Sequence, residues 1–348
     1  EIDYMLEVDN PQRIYIRGER QQILRSFMDA DQAIRIQYDA KYARSSNYWK
    51  NSIGMSRGIE RLNVRGKKQA QEQEFQAWAL ANTLPEEGFI NALPLIEQSQ
   101  TEARAESATM QYLSEAFMQS VELIQVVMVQ REDYLPQFFN DYNADVDRAV
   151  AKRMFTIYRE NNDRLPSIYA KIDAEFGGDS DAYVDWLYDN TCYTSMARLE
   201  EAQARVANGE ELGVDPAYEL ATSIFELYRE LYPAYVAANE KFNEGHRLYI
   251  AGLMRMQPDK AWASDANFTI RLTYGNVLPY SPADGVIYNH YTTLEGVMAK
   301  EDPSNPVEFT VPARLKELYA ARDYGRYADE NGDLPVAFLV NCDITGGN

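Results

Sequence analysis

Residues 110–128 read MQYLSEAFMQSVELIQVVM, and the spacing of their apolar side chains decides the fold class of most of the chain. Met110, Leu113, Phe117, Val121, Ile124 and Met128 follow one another by 3, 4, 4, 3 and 4 positions. An α-helix turns once in about 3.6 residues, so this rhythm keeps all six on one face of a long amphipathic helix. The same rhythm recurs on either side. Val146, Val150, Met154 and Ile157 repeat by 4, 4 and 3, and Leu220, Ile224, Leu227 and Leu231 by 4, 3 and 4. Asp215 is an N-cap candidate with Pro216 at the first helical position. Pro233 is expected to end or kink that helix, and Gly177-Gly178, Gly209 and Gly213 mark further stops. The chain shows no fixed-period repeat of solenoid length.

The pattern changes near residue 258. Phe268, Ile270, Leu272 and Tyr274 alternate with Thr269, Arg271 and Thr273, the period of a half-buried strand. Val307, Phe309 and Val311 alternate again, and 334–340 (LPVAFLV) is a continuous apolar run, read as a buried strand, after the turn signal Asn331-Gly332. The expectation is an α+β chain, mostly α: a strand segment over 1–16 (Ile14, Tyr15 and Ile16 stand before Arg17), a helical domain over 17–258 and a β-rich part over 259–348.

Lys and Arg number 34 and Asp and Glu 54, giving a net charge of −20 over 348 residues. A field of that sign repels phosphate backbones and anionic lipid, which argues against nucleic-acid or membrane-surface partners. The apolar run 121–129 falls short of the roughly 20 residues that span a bilayer. With two cysteines, Cys192 and Cys342, neither a disulfide scaffold nor a Cys-rich zinc site is expected. The opening EIDYMLEV has neither an initiator Met nor a leader pattern, so a mature, processed or engineered fragment is expected.

Four groups of residues invite chemistry. Asp141, Asn143, Asp145 and Asp147 are spaced like the start of a calcium loop, but Val146 and Lys152 stand where Gly and a carboxylate are needed, so a solvated helix start is expected and no metal. His246 and His290 lack the partners of a zinc or nucleophile motif and read as ordinary side chains. Asn47 and Asn51 flank Trp49 at i and i+4 on one helix face. Two carboxamides there can hold a polar group of a ligand, or simply decorate the surface beside a core Trp. Last, 342–348 (CDITGGN) places paired glycines after a strand, where backbone N–H groups can approach a reacting oxygen.

Taken together these segments resemble the bacterial dipeptidyl-peptidase 7 and dipeptidyl-peptidase 11 family. The stretch 45–55 (SSNYWKNSIGM) is similar to the signature of that family's helical domain. The stretch 323–348 (DYGRYADENGDLPVAFLVNCDITGGN) is similar to the run that leads into its GGNSGSP nucleophile motif, and 284–302 (DGVIYNHYTTLEGVMAKED) fits as well. The likeness runs in order over the whole chain, with least detail between about 85 and 260. It implies a large helical cap domain joined to part of a chymotrypsin-like antiparallel β-barrel. It also implies a serine exopeptidase that removes dipeptides from the free amino terminus of oligopeptides, a homodimer, and export to the periplasm or cell surface of a Gram-negative cell. No cofactor is implied. By the resemblance Gly347 donates an oxyanion-hole N–H, Asn348 precedes the nucleophile, and either Asn47 or Asn51 binds the substrate amine. The family's serine would follow Asn348, and its His and Asp would precede Glu1, so this chain by itself is expected to hydrolyse nothing. The alternative is a non-catalytic, acidic, helical peptide-binding or scaffold protein. Whether hydrophobic or acidic side chains are preferred beside the cleaved bond is left open.

Overall fold

The computed structural model describes residues 1–129, 133–262, 269–270, 272–304 and 309–342. The chain divides into two compact units, Glu1–Trp262 and Ala263–Asn348.

The first unit is helical. α1 (Ile2–Tyr4) and a π-helical turn (Met5–Asp9) run into α2 (Asn10–Ala30). The strand expected over 1–16 is therefore helix. Ile16, Arg20, Leu24 and Met28 recur every four positions and are all buried, so packing of a helical face overrides the β preference of Ile14, Tyr15 and Ile16. Asp31 separates α2 from α3 (Gln32–Arg61): its backbone is extended and its Oδ1 accepts from Ala33 N at 2.7 Å. Then come α4 (Val64–Asn82), α5 (Ala92–Glu102), α6 (Arg104–Leu113), a second π-helical turn (Ser114–Met118) and α7 (Glu122–Val129). After α8 (Leu135–Asn140) the chain forms α9 (Ala144–Asn161), α10 (Ile168–Glu175), α11 (Ser180–Asn190) and α12 (Met196–Ala207). The unit closes with α13 (Pro216–Met256), capped by Asp215.

Two expectations over these helices need correction. The face read in 110–128 is kept, since Met110, Leu113, Phe117, Val121 and Ile124 are buried, but Met128 is 44% exposed and the helix is not continuous. The π-helical turn carries an extra residue, and Gln119 N reaches back to Ser114 O at 2.8 Å. Pro233 does not end α13, which runs for 41 residues. An interior Pro costs about 3 kcal/mol. Both arms are anchored: Leu220, Ile224, Leu227 and Leu231 enter the main core, and Leu248 and Leu253 a smaller one with Phe75 and Ala92. The second arm needs Gly252, where a Cβ would stand 2.5 Å from the Phe75 ring. At the centre of the main core Phe117, Phe155, Tyr158, Tyr169 and Tyr183 meet with ring centroids 5.1 to 6.1 Å apart.

Among its described residues the second unit holds two small antiparallel sheets, two short α-helices and a 3-10 turn (Gly325–Tyr327). β1 (Tyr280–Ala283) pairs with β2 (Val286–Tyr288) around Asp284-Gly285, with Gly285 at φ 73. β3 (Tyr291–Thr293) leads into α14 (Leu294–Ala299), followed by α15 (Ala313–Ala321). β4 (Pro335–Phe338) pairs with β3, after a turn in which Gly332 takes φ 81. The described part of 268–274 is exposed and forms no strand, and Phe309 and Val311 are also outside any strand; Phe268, Arg271 and Val307 lie outside the described residues. The run 334–340 does form a strand, but an exposed one, with Phe338 68% accessible, because the two-stranded sheet packs no layer over it. Alternation states which residues share a face; it does not supply the layer that buries them.

Asp147 is wholly buried rather than part of a solvated helix start. Its carboxylate accepts from Glu122 N at 2.7 Å and Leu123 N at 2.8 Å, the first N–H groups of α7, and from the hydroxyls of Tyr188 at 2.8 Å and Tyr142 at 3.3 Å. Burial, together with the neighbouring Glu122 charge, pushes this carboxyl up to about 7. The unfolded carboxyl titrates near the ordinary 3.8, so the folded state holds its proton more tightly. This group's stabilising contribution is therefore complete below that value and is lost as pH rises through about 7. Asp147→Ala leaves four donors buried and unpaired, and is expected to cost about 3–5 kcal/mol in chemical denaturation. Subtracting the Asp147→Asn stability from that of the parent chain should give a difference that declines between pH 4 and 7; a flat or rising difference contradicts the assignment. Hydrogen exchange should be faster in the described residues of 272–304 and 309–342 than in α9 and α11, whose inward faces are sealed.

Candidate functional site

The hairpin of α2 and α3 presents the two carboxamides. Buried Ser45 and Ser52 and half-buried Trp49 turn inward on α3, and the Trp49 indole Nε1 donates to Ile14 O at 3.0 Å. One turn on, Asn10 Nδ2 donates to Ser56 Oγ at 3.0 Å. With that face fixed against α2, Asn47 and Asn51 point outward together and both are exposed. Neither makes a side-chain hydrogen bond to a described residue, so their donors and acceptors are available.

Between them lies Tyr48, 55% exposed, with the Arg17 guanidinium 5.1 Å from its ring centroid. Arg17 is held by a fork: its Nε donates to Glu115 Oε2 at 2.8 Å and an Nη to Oε1 at 3.1 Å. Arg13 approaches the same buried carboxylate at 3.4 Å. A second tie runs from α3, where Lys41 Nζ meets the buried Glu122 at 2.6 Å. The surface is thus two free amides beside an exposed phenol that the Arg17 guanidinium contacts. Sequence reasoning selects Asn47, Asn51 and Trp49 but misses Tyr48, Arg17 and Glu115. Glu115 stands as a carboxylate inside an apolar-periodic run, and that was the available signal.

The remaining candidates separate. His246 is exposed on α13, stacked on Phe242 at 5.5 Å, and His290 lies against Tyr291 at 4.8 Å. Asn143 caps α9, its Oδ1 accepting from Asp145 N and Val146 N. Gly347 and Asn348 lie outside the described residues. Among the described residues no group of three His, Cys, Asp or Glu side chains could hold a metal ion, and no helix is long and apolar enough to cross a membrane.

These positions can be tested for a purely structural role. Asn47→Ala and Asn51→Ala should each change stability by less than about 0.5 kcal/mol, as exposed sites do. Trp49→Ala should cost about 3 kcal/mol by loss of packing and of the bond to Ile14. A large loss of melting temperature in either Asn variant contradicts the free-amide reading.

The peptidase S46 family model matches residues 1–348. Dipeptidyl-peptidase 7 of Phocaeicola vulgatus is 39% identical over 376 aligned residues, covering 100% of this chain and 51% of that protein. The Asp/Glu-specific dipeptidyl-peptidase of Porphyromonas gingivalis is 36% identical over 376, again covering 100% and 51%. The crystal structure of Porphyromonas endodontalis DPP11 in complex with the dipeptide Arg-Glu superposes with a TM-score of 0.88 at 31% identity, covering 100% of this chain and 52% of that one. The chain spans about half the length of the curated relatives it matches. It belongs to the peptidase S46 family.

Proposed function

We propose, from the premise of an S46 peptidase, that this chain forms part of an enzyme that removes dipeptides from the free amino terminus of oligopeptides. The match of the family along the entire chain carries the reading. The exposed pair Asn47 and Asn51 gives it a physical basis. A dipeptide-releasing enzyme must measure two residues from a charged amine. Amide oxygens can accept from an ammonium through charge-assisted hydrogen bonds, and Tyr48 between them offers a ring face to the same cation. The fork from Glu115 to Arg17 limits how far Tyr48 moves, which is the preorganisation a measuring clamp requires. The helical unit then acts as the cap of the cleft in the whole enzyme.

The chemistry is serine-type acyl transfer on a chymotrypsin-like scaffold. A serine following Asn348 attacks the carbonyl of the second substrate residue, with the Gly347 N–H stabilising the oxyanion. The C–N bond breaks, the new amine takes the serine's proton by way of a histidine, and water then hydrolyses the acyl-enzyme ester. Histidine and aspartate belong to the part of the enzyme before Glu1. The whole protein is a homodimer exported to the periplasm or cell surface.

The test compares a free-amine dipeptidyl reporter with its acetylated form on the whole enzyme. Acetylation should abolish release. Replacing the amine-binding Asn by Ala should lower kcat/KM by about 10- to 100-fold, the loss of one hydrogen bond to a charge. If both Asn47→Ala and Asn51→Ala turn over normally, the clamp is elsewhere. Peptide binding by the whole protein without turnover would favour a scaffold, and turnover by the 348-residue chain would remove the assignment of the nucleophile.

A further inference from the structure

The outer surface of α3 and the start of α4 reverse the sign of the molecule. Between residues 44 and 68 the chain has seven cations and one anion, Glu60, a net charge of +6 within a total of −20. Elsewhere on the helical unit many cations stand against a carboxylate, as Arg104 does with Glu7 at 2.7 Å and Lys171 with Glu219 at 2.6 Å. Within 44–68 Arg65 does so, reaching Asp3 at 2.8 Å. Arg44, Lys50, Arg57, Arg61, Lys67 and Lys68 are exposed and meet no carboxylate among the described residues.

These charges are ordered along one face. Lys50, Gly54, Arg57, Gly58 and Arg61 follow at steps of three and four, so they continue the face that carries Asn47 and Asn51. The opposite face is packed at Ser45, Trp49 and Ser52. Nothing inside the helical unit requires Gly54 or Gly58 to be glycine. Neither takes a positive φ, and a Cβ at either would meet nothing within 4 Å. Glycine weakens a helix interior; what it provides is room for another chain to lie against the backbone.

The charge selects the occupant. A long polyanion or an anionic membrane spans many screening lengths and meets the −20 of the whole molecule. A short peptide feels only the charges within about 10 Å at ordinary salt, and on this face their sign is positive. The planar fork of arginine matches a carboxylate with two parallel bonds, and Arg57 and Arg61 stand one turn apart. The spacing fits as well. At about 1.5 Å per helical residue, Arg57 lies about 9 Å and Arg61 about 15 Å beyond Asn51. An extended peptide advances about 3.3 Å per residue, so one whose amine is at Asn51 reaches Arg57 with about its third residue and Arg61 with about its fifth.

We propose that this stripe is a carboxylate-binding track for oligopeptide substrates, in which Arg57 and Arg61 take acidic side chains that follow the released dipeptide. The inference rests on the dipeptidyl-peptidase reading for where the substrate amine sits. Residues beyond the second belong to the leaving part of the substrate, so the track selects peptides by what lies past the cleaved bond.

The test compares two hexapeptides on the whole enzyme, one with Glu at its third and fifth residues and one with Gln at both. At low salt kcat/KM for the Glu peptide should exceed that for the Gln peptide by about three- to tenfold, the range of two exposed ion pairs. The ratio should fall toward one at about 0.5 M salt. Arg57→Gln with Arg61→Gln should bring it to about one at low salt, and Arg57→Glu with Arg61→Glu should invert it. Arg229→Gln, which removes a cation from α13, should leave it as it is. A ratio of about one in the parent enzyme, or one that the glutamate variant does not alter, overturns the proposal. So does a loss of melting temperature in that variant with the ratio intact, which assigns the cations to another part of the enzyme. Tighter binding of polyphosphate than of the Glu peptide also overturns it. If neither peptide is cleaved, the dipeptidyl-peptidase reading fails instead, and calorimetry with the same peptides and variants, read by the same ratio of affinities, decides the stripe by itself.

Discussion

Two buried carboxylates seven positions apart hold the α2–α3 hairpin to the helical core. Glu115 takes Arg17 of α2, and Glu122 takes Lys41 of α3. Both stand on the segment 110–128, at either side of the place where its helix is interrupted. A continuous helix would project 115 and 122 from nearly one direction, two turns apart. The π-helical turn and the restart at Glu122 instead let each meet a different helix of the hairpin. Such pairs repay little net stability once desolvation is counted, but removing one partner leaves an uncompensated charge. Their consequence is positional. Arg17 is held against Tyr48, and with Trp49 bonded to Ile14 the two amides beside it face away from α2.

The second carboxylate is itself supported. Asp147 receives the first N–H groups of α7, and so fixes where that helix starts and hence where Glu122 sits. Tyr188 from α11 and Tyr142 ahead of α9 complete its shell. One wholly buried acid thus joins three helices around the ion pair that holds α3. It is a costly arrangement: burial disfavours the charged form of Asp147 first, the nearby Glu122 charge adds to it, and together they push its carboxyl up.

Helical periodicity was legible in the sequence because it is local. A face repeating every three or four residues needs no knowledge of what covers it, and the inward faces of α9 and of the first arm of α13 were read correctly from spacing alone. The strands were less legible because burial in a sheet is supplied by distant residues. Residues 334–340 were recognised as a strand, yet nothing in the run says whether a second layer packs on it, and here it is exposed. Ile14, Tyr15 and Ile16 failed for the converse reason, since their β preference is weak beside the burial of Ile16 and Leu24 on one helical face. Of the site, the carboxamide pair was visible as an i, i+4 motif. Its support was not, because Arg17 and Glu115 lie 98 positions apart. Spacing also misled at Asp147, where an alternating acidic run looks solvated until Tyr142 and Tyr188 are seen to close over it.

A clamp that counts residues from a charged amine has to resist the pull of the substrate it holds. Loops give way to such a pull, whereas a hairpin sealed along one face and tethered at two points does not. The stiff part of this chain is where the free amides are: Asn47 and Asn51 stand on the wall of a helix whose opposite face is packed at Ser45, Trp49 and Ser52. The second unit has short strands and exposed apolar edges, a surface whose order depends on what pairs with it. Buried faces and exposed strands are thus divided between the two units among the described residues. In the proposed enzyme that division assigns substrate measurement to the helical unit, whose inward faces are buried, and the reacting groups to the other. Measurement would then be set by the helical unit's own core, independent of how the catalytic part assembles.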